Sequence, residues 1–190
     1  MFGATESLSI QTLDYRAICI ILISFIAMAT DLWRGRIFNW LNLSGMIAGL
    51  SLGFILSGWD GLLQSFLGML LGLALYGWIF WLGFMGGGDV KFLMALGSIG
   101  GAKYTAEVAL LAILCGGGMS IVLLLVKGKL IIFLKKIYFF FLSIFVSQLE
   151  IQLPKIDHSV RMPFGVPISV AAVWTYFSHP LVKSGLVLWP

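Results

Sequence analysis

Between Tyr15 and Val126 the charged side chains fall in a few short clusters, and the runs between them are apolar. Most of these runs approach the roughly 20 residues that a bilayer-spanning helix requires. This layout constrains the fold first, because a chain in lipid must satisfy its own backbone polar groups and does so as helix. Six spans follow, at about 15–33, 41–57, 62–82, 89–100, 106–126 and 164–179. Composition agrees. Of 190 residues 60% are hydrophobic and only 11% are charged, and the mean hydropathy is +1.04. A soluble domain of this size would carry far more surface charge. The expected fold is therefore all-α, a polytopic membrane helix bundle with about six transmembrane helices. No repeat, low-complexity tract or linker divides it, so residues 1–190 read as one domain.

Three places are irregular. The fourth span is short, and short or glycine-interrupted segments occur where backbone lines a protein cavity. Lys135 and Lys136 interrupt the apolar run Ile131–Val146, which favours an interfacial helix over 128–150; a seventh span from about 137 is the alternative. Ala27-Met28-Ala29 loosely fits a signal cleavage site, but Glu6, Asp14 and Arg16 precede the apolar stretch where a signal peptide would be basic. Residues 15–33 therefore read as a retained span.

The cations set orientation. Arg34 and Arg36 follow the first span, Lys91 the third, and Lys127, Lys129, Lys135 and Lys136 the fifth. The intervening loops hold Asp60, and Lys103 with Glu107. The positive-inside bias places 34–40, 83–91 and 127–162 in the cytoplasm and the N-terminus outside. The net charge of +4 thus reports topology, with the Lys127–Lys136 cluster meeting anionic lipid headgroups, and does not suggest nucleic acid. Trp33, Trp40, Trp59, Trp78, Trp81 and Trp189 fall near span ends, as interfacial aromatics do. Gly45, Gly49 and Gly53, Gly68 and Gly72, and Gly97 and Gly101 recur every fourth residue, a pattern that lets helix backbones approach closely.

Against this background Gly86-Gly87-Gly88-Asp89-Val90-Lys91 stands out, because a carboxylate at a membrane segment is costly and usually functional. Asp31 ends the first span and Asp89 follows the third. Two crossings separate them, so they emerge on the same membrane face however the protein is inserted, and the cations make that face cytoplasmic. Two close carboxyls cannot both ionise cheaply, so the pair holds one proton between them. The ionised member can activate water as a general base, and the protonated member can polarise a carbonyl and protonate the leaving amine. That is aspartic-protease chemistry and needs no metal and no cofactor. Gly86, Gly87 and Gly88, which permit positive φ and close approach of another backbone, form with Lys91 a candidate substrate-binding or supporting loop.

Simpler roles compete. Asp89 would N-cap the fourth helix, and Asp31 would pair with Arg34 at the interface. Lys91, Arg34 and Arg36 serve as topology anchors. Cys19 and Cys115 make no redox or metal-ligand spacing, and His158 and His179 lie apart without ligand spacing. No serine-nucleophile or His/Glu zinc motif occurs.

At the two aspartates the chain resembles the type IV prepilin peptidase family, Gly-x-Gly-Asp intramembrane aspartic proteases. Residues Gly83 to Gly97, with Gly86-Gly87-Gly88-Asp89 at their centre, resemble the family's second-aspartate motif. Asp31-Leu32-Trp33-Arg34-Gly35-Arg36-Ile37-Phe38-Asn39 is similar to its first, with Phe38 where the family usually has proline and Asn39 placed to cap the next helix. Met162-Pro163-Phe164-Gly165 is similar to the Pro-Phe-Gly segment that opens the family's last helix. Order and spacing agree over about residues 20–178. The resemblance implies a multi-pass endopeptidase of the bacterial inner membrane, with Asp31 and Asp89 as its catalytic pair. It implies removal of the short basic leader of pilin-like precursors at the cytoplasmic face. No Cys-x-x-Cys pair occurs among these residues, so the resemblance is to the short form that serves Flp (tad-type) pili, and no methyl donor is implied. Archaeal preflagellin peptidases share the motif. Outside this family the alternatives are a small proton-coupled transporter, with the carboxylates as an ion relay, and a non-catalytic assembly subunit.

Overall fold

The computed structural model describes residues 2–83, 85–126, 128, 131, 135 and 164–178, with side chains from Tyr15 onward. Packing divides the chain into two units, Met1–Cys115 with Pro163–Pro190, and Gly116–Met162. The described elements are all helices: α1 (Phe2–Arg34), α2 (Asn39–Trp81), α3 (Gly87–Val126) and α4 (Gly165–Ser178). The helix α1 begins well ahead of the expected first span, since no proline interrupts residues 2–34. Three stretches are long and apolar enough to cross a membrane, Tyr15–Arg34, Asn39–Trp81 and Gly87–Val126, and Gly165–Ser178 is a shorter apolar helix.

Two of these helices are too long to run straight. At 43 residues, α2 would extend about 65 Å, roughly twice the hydrocarbon thickness. It is broken at Gly58, whose φ of 62° and ψ of −140° leave the helical region. Beyond the break the chain folds back, because Ser65 Oγ donates to the Gly49 carbonyl at 3.3 Å; in a straight helix these residues would lie about 24 Å apart. The 40-residue α3 is broken likewise at Gly101, with φ 80° and ψ 178°. Thr105 Oγ1 there donates to the carbonyls of Gly101, at 2.7 Å, and of Gly68, at 3.3 Å. A Cβ on Gly97 would meet Thr105 Oγ1 at 2.6 Å, so this chain also turns back on itself. Both breaks sit in the intervals between expected spans. Gly101, which the spacing assigned to a packing face, serves as a turn residue as well.

The first unit inverts the pattern of a soluble protein. Trp33, Ile55, Trp59 and Trp81 are strongly exposed, whereas Ser24, Asn42, Ser65, Ser98, Thr105, Ser169 and Thr175 are buried. Lipid removes the hydrophobic drive for helix association, leaving close packing and interhelical hydrogen bonds. Both are present. A Cβ on Gly49 would overlap Ser98, and one on Gly68 would overlap the Gly97 carbonyl. Ser98 Oγ donates to Gly45 O at 3.3 Å, Tyr76 Oη to Ala109 O at 3.2 Å and Tyr104 Oη to Ala172 O at 2.9 Å. Ile20, Tyr76, Phe92, Leu93, Leu96 and Ile168 form the centre of the core, and α1 packs against α4 and α2.

The second unit is described mainly by the end of α3, where Ser120 Oγ donates to Gly116 O at 2.7 Å. Gly128, with φ 63°, follows it. The choice between interfacial helix and seventh span falls, apart from residues 128, 131 and 135, outside the described residues, as do His158, Met162, Pro163, His179 and Trp189.

Candidate active site

Asp31 stands in the last turn of α1. Gly35 ends that helix with φ 63° and donates its N–H to the Asp31 carbonyl at 2.8 Å, the left-handed closure that glycine adopts without a Cβ penalty. The Asp31 side chain is 5% exposed. Its Oδ2 accepts the backbone N–H of Gly165 at 2.7 Å. Gly165 opens α4, so the carboxyl meets an otherwise orphaned donor at the positive end of a helix. A Cβ on Gly165 would stand 2.7 Å from Oδ2 and 3.0 Å from Cγ of Asp31, closer than side chains pack. The glycine of the Pro-Phe-Gly segment is thereby explained.

Asp89 is the third residue of α3. The Gly86 carbonyl accepts its N–H at 3.1 Å and that of Val90 at 3.5 Å, starting the helix. In return the Asp89 carboxyl accepts the Gly86 N–H, and a Cβ on Gly86 would lie 3.2 Å from Oδ2. Asp89 thus closes the first turn from its third position, as in a capping box, and is not the N-cap itself. Ile37 lies 3.0 Å from where a Cβ on Gly165 would stand and 3.6 Å, through its carbonyl, from one on Gly88, so the half-sites built by α1 and α3 flank the same segment. Among the described residues Arg34 makes no ion pair with Asp31; its guanidinium lies 5.4 Å over the Phe38 ring.

The glycine loop behaves differently from expectation. Gly86, Gly87 and Gly88 all have negative φ, and the left-handed residue before them is Gly83, with φ 81°. Of the three only Gly86 sits tightly, against the Asp89 carboxyl; a Cβ on Gly88 would make ordinary contact at 3.6 Å with the Ile37 carbonyl, and one on Gly87 at 3.5 Å with the Phe80 ring. Ile37 itself also lies against Gly165, so the segment after α1 packs beside both half-sites. Lys91 Nζ donates to Asn39 Oδ1 at 3.1 Å. Asn39 is therefore engaged with α3 and does not cap α2, whose N-cap Phe38 has no side-chain capping bond.

One residue joins the site that the motif reading had not singled out. Asn42 is 1% exposed, and its Nδ2 donates to the Gly88 carbonyl at 3.2 Å, tying the first turns of α2 to the loop before Asp89. Its sequence signal was an amide early in an apolar span, where a polar group is expensive. Among the described residues no group of three or more His, Cys, Asp or Glu is arranged to hold a metal.

The Asp31 carboxyl, the Asp89 carboxyl and Asn42 all fall within residues 18–151, which match the model of the type IV leader peptidase family. No curated protein and no solved structure matches the chain. The matched stretch covers well over half of the sequence, and with its apolar helices the protein belongs to the type IV leader peptidase family, membrane peptidases whose substrates are prepilins.

Proposed function

We propose that this family member is an aspartic-type endopeptidase in which Asp31 and Asp89 share one proton and activate water for hydrolysis of the prepilin leader. The observation that carries the reading is that Ile37 packs against both Gly165, whose N–H the Asp31 carboxyl accepts, and Gly88, the residue before Asp89, and that each carboxyl takes one glycine N–H. Those backbone bonds fix the carboxyl orientations and leave their other oxygens for water and the scissile carbonyl. The ionised carboxyl removes a proton from water as it attacks. The protonated one gives its proton to the carbonyl oxygen, forming a gem-diol; the carboxyl that took the water proton then passes it to the leaving amine as the C–N bond breaks, and the other carboxyl recovers a proton from a gem-diol hydroxyl.

Further features of the reading rest on topology and resemblance. If Gly58 and Gly101 are turns at the membrane surface, the limbs of α2 and α3 with α1 and α4 make six crossings. Asp31 and Asp89 then share the cytoplasmic face of a bacterial inner membrane, where the cations Arg34, Arg36 and Lys91 cluster. Gly86, Gly87 and Gly88 shape the loop beside the substrate, and Lys91 supports it through Asn39. The substrate is an Flp-like prepilin.

Co-expression with an Flp-type prepilin tests this on a gel. Conversion of precursor to mature pilin is expected with the native chain and is expected to vanish with Asp31→Asn and with Asp89→Asn. Continued processing by either variant contradicts the proposal.

A further inference from the structure

The first turns of α3 have two faces. At about 100° per residue, Gly87, Val90, Lys91 and Met94 share one side, and Asp89 projects from the other. The Lys91 side lines a groove of about 680 Å³, within the range of about 300–1,000 Å³ usual for small-molecule sites. The first limb of α2 contributes Leu43 and Met46 to its walls, and the second limb contributes Leu73 and Phe80.

Polarity within the groove is graded. Asn39 is the first residue of α2 and Lys91 lies in the second turn of α3, so the polar lining gathers where these helices begin. Leu43, Met46 and Met94 continue along the spans as an apolar trough. Among the described residues no carboxylate pairs with Lys91; its ammonium has three donors, and its one hydrogen bond here goes to Asn39 Oδ1. An occupant that suits such a space has an anionic head and an apolar tail. A substrate peptide is disfavoured by position, since a chain in the groove would lie across α3 from the Asp89 carboxyl.

We infer that this groove holds an anionic phospholipid, with its phosphate on Lys91 and Asn39 and an acyl chain along Leu43, Met46 and Met94. Basic sites between membrane helices at the cytoplasmic boundary bind anionic headgroups in this way. The lipid braces the turn that carries Asp89. It does so through Lys91 and through Asn42, which lines the groove and holds the Gly88 carbonyl. The Oδ1 of Asn42 is buried without a hydrogen-bond partner, so this amide is held on one side only and depends on its packing for position.

The test is native mass spectrometry of the purified full-length protein, titrated with dioleoylphosphatidylglycerol or dioleoylphosphatidylcholine. The native chain is expected to retain phosphatidylglycerol in preference to phosphatidylcholine. Lys91→Gln is expected to weaken phosphatidylglycerol binding about fivefold, the effect of one cation near a membrane surface, with Lys91→Arg restoring it. Gly77→Leu, which projects a side chain into the groove from an open position, is expected to abolish the tight site while helix content by circular dichroism stays unchanged. Equal retention of the two lipids, or undiminished phosphatidylglycerol binding by Lys91→Gln, overturns the inference. Capture of a prepilin instead of lipid by a photo-crosslinker placed at Met94 also overturns it.

Discussion

Gly165 donates its backbone N–H to Asp31 Oδ2 at 2.7 Å, although the two residues are 134 positions apart. The bond joins the end of the first helix to the beginning of the last. Gly86 serves Asp89 in the same way from only three residues away. One carboxyl is thus oriented by tertiary structure and the other by its own helix turn.

This difference predicts the effect of Gly165→Ala. The new methyl would overlap the Asp31 carboxyl and displace it from its donor. Misplacing a reacting group by about 1 Å costs on the order of 100-fold in rate, so kcat for leader cleavage should fall by about that factor while helix content is retained. Val166→Ala, one residue on, is the control: it leaves the Gly165 donor in place and should cleave at the native rate.

Asn42→Leu separates activity from stability. The change removes the bond to Gly88 O together with an unpartnered buried acceptor, and losing both leaves stability within about 1 kcal/mol of native. The loop before Asp89 loses its tether, so cleavage should slow by about tenfold. Thermal unfolding in detergent and single-turnover cleavage read the two quantities. A large loss of stability with native cleavage would contradict the assignment.

The legibility of this chain was uneven for physical reasons. Charge-free apolar runs and the bilayer's thickness pointed to apolar helices, three of which are long enough to cross a membrane against the six spans expected, and the glycine spacing marked the tight contacts, as at Gly49 with Ser98 and Gly68 with Gly97. Crossing parity argued for Asp31 and Asp89 on one face. The Asp31–Gly165 bond was not legible, because tertiary contacts over such a separation leave no local pattern. The glycine cluster misled on one point: three adjacent glycines suggest positive φ, yet none adopts it, and only Gly86, against the Asp89 carboxyl, sits too close for a Cβ to fit freely. Asn42 was passed over because one amide in an apolar run has no motif around it.

The packing account predicts opposite outcomes at two glycines of α2. Gly68→Leu forces a side chain into the Gly97 backbone and should lower stability by about 2 kcal/mol, the usual scale of overpacking. A Cβ on Gly77 meets only Leu73, at 3.4 Å, so Gly77→Leu should leave the melting temperature unchanged or raise it through better helix propensity. Equal melting temperatures for the two variants would contradict the packing.

A pair that shares one proton predicts a bell-shaped dependence of kcat/KM on pH. Activity rises as the pair loses its first proton, which creates the base, and falls as it loses its second, which removes the acid. The limbs belong to the pair and not to either residue. Activity that climbs with pH to a lasting plateau would show that no protonated carboxyl is required.

The central claim is that Asp31 and Asp89 act as one unit, and single-turnover cleavage of a purified Flp-type prepilin by Asp31→Asn, Asp89→Asn and the double variant tests it most directly. Groups that act together lose their effect together. The prediction is that each single change abolishes cleavage to the same residual rate and that the double variant is no slower. A single variant that retains substantial cleavage, or losses that multiply in the double variant, would contradict it.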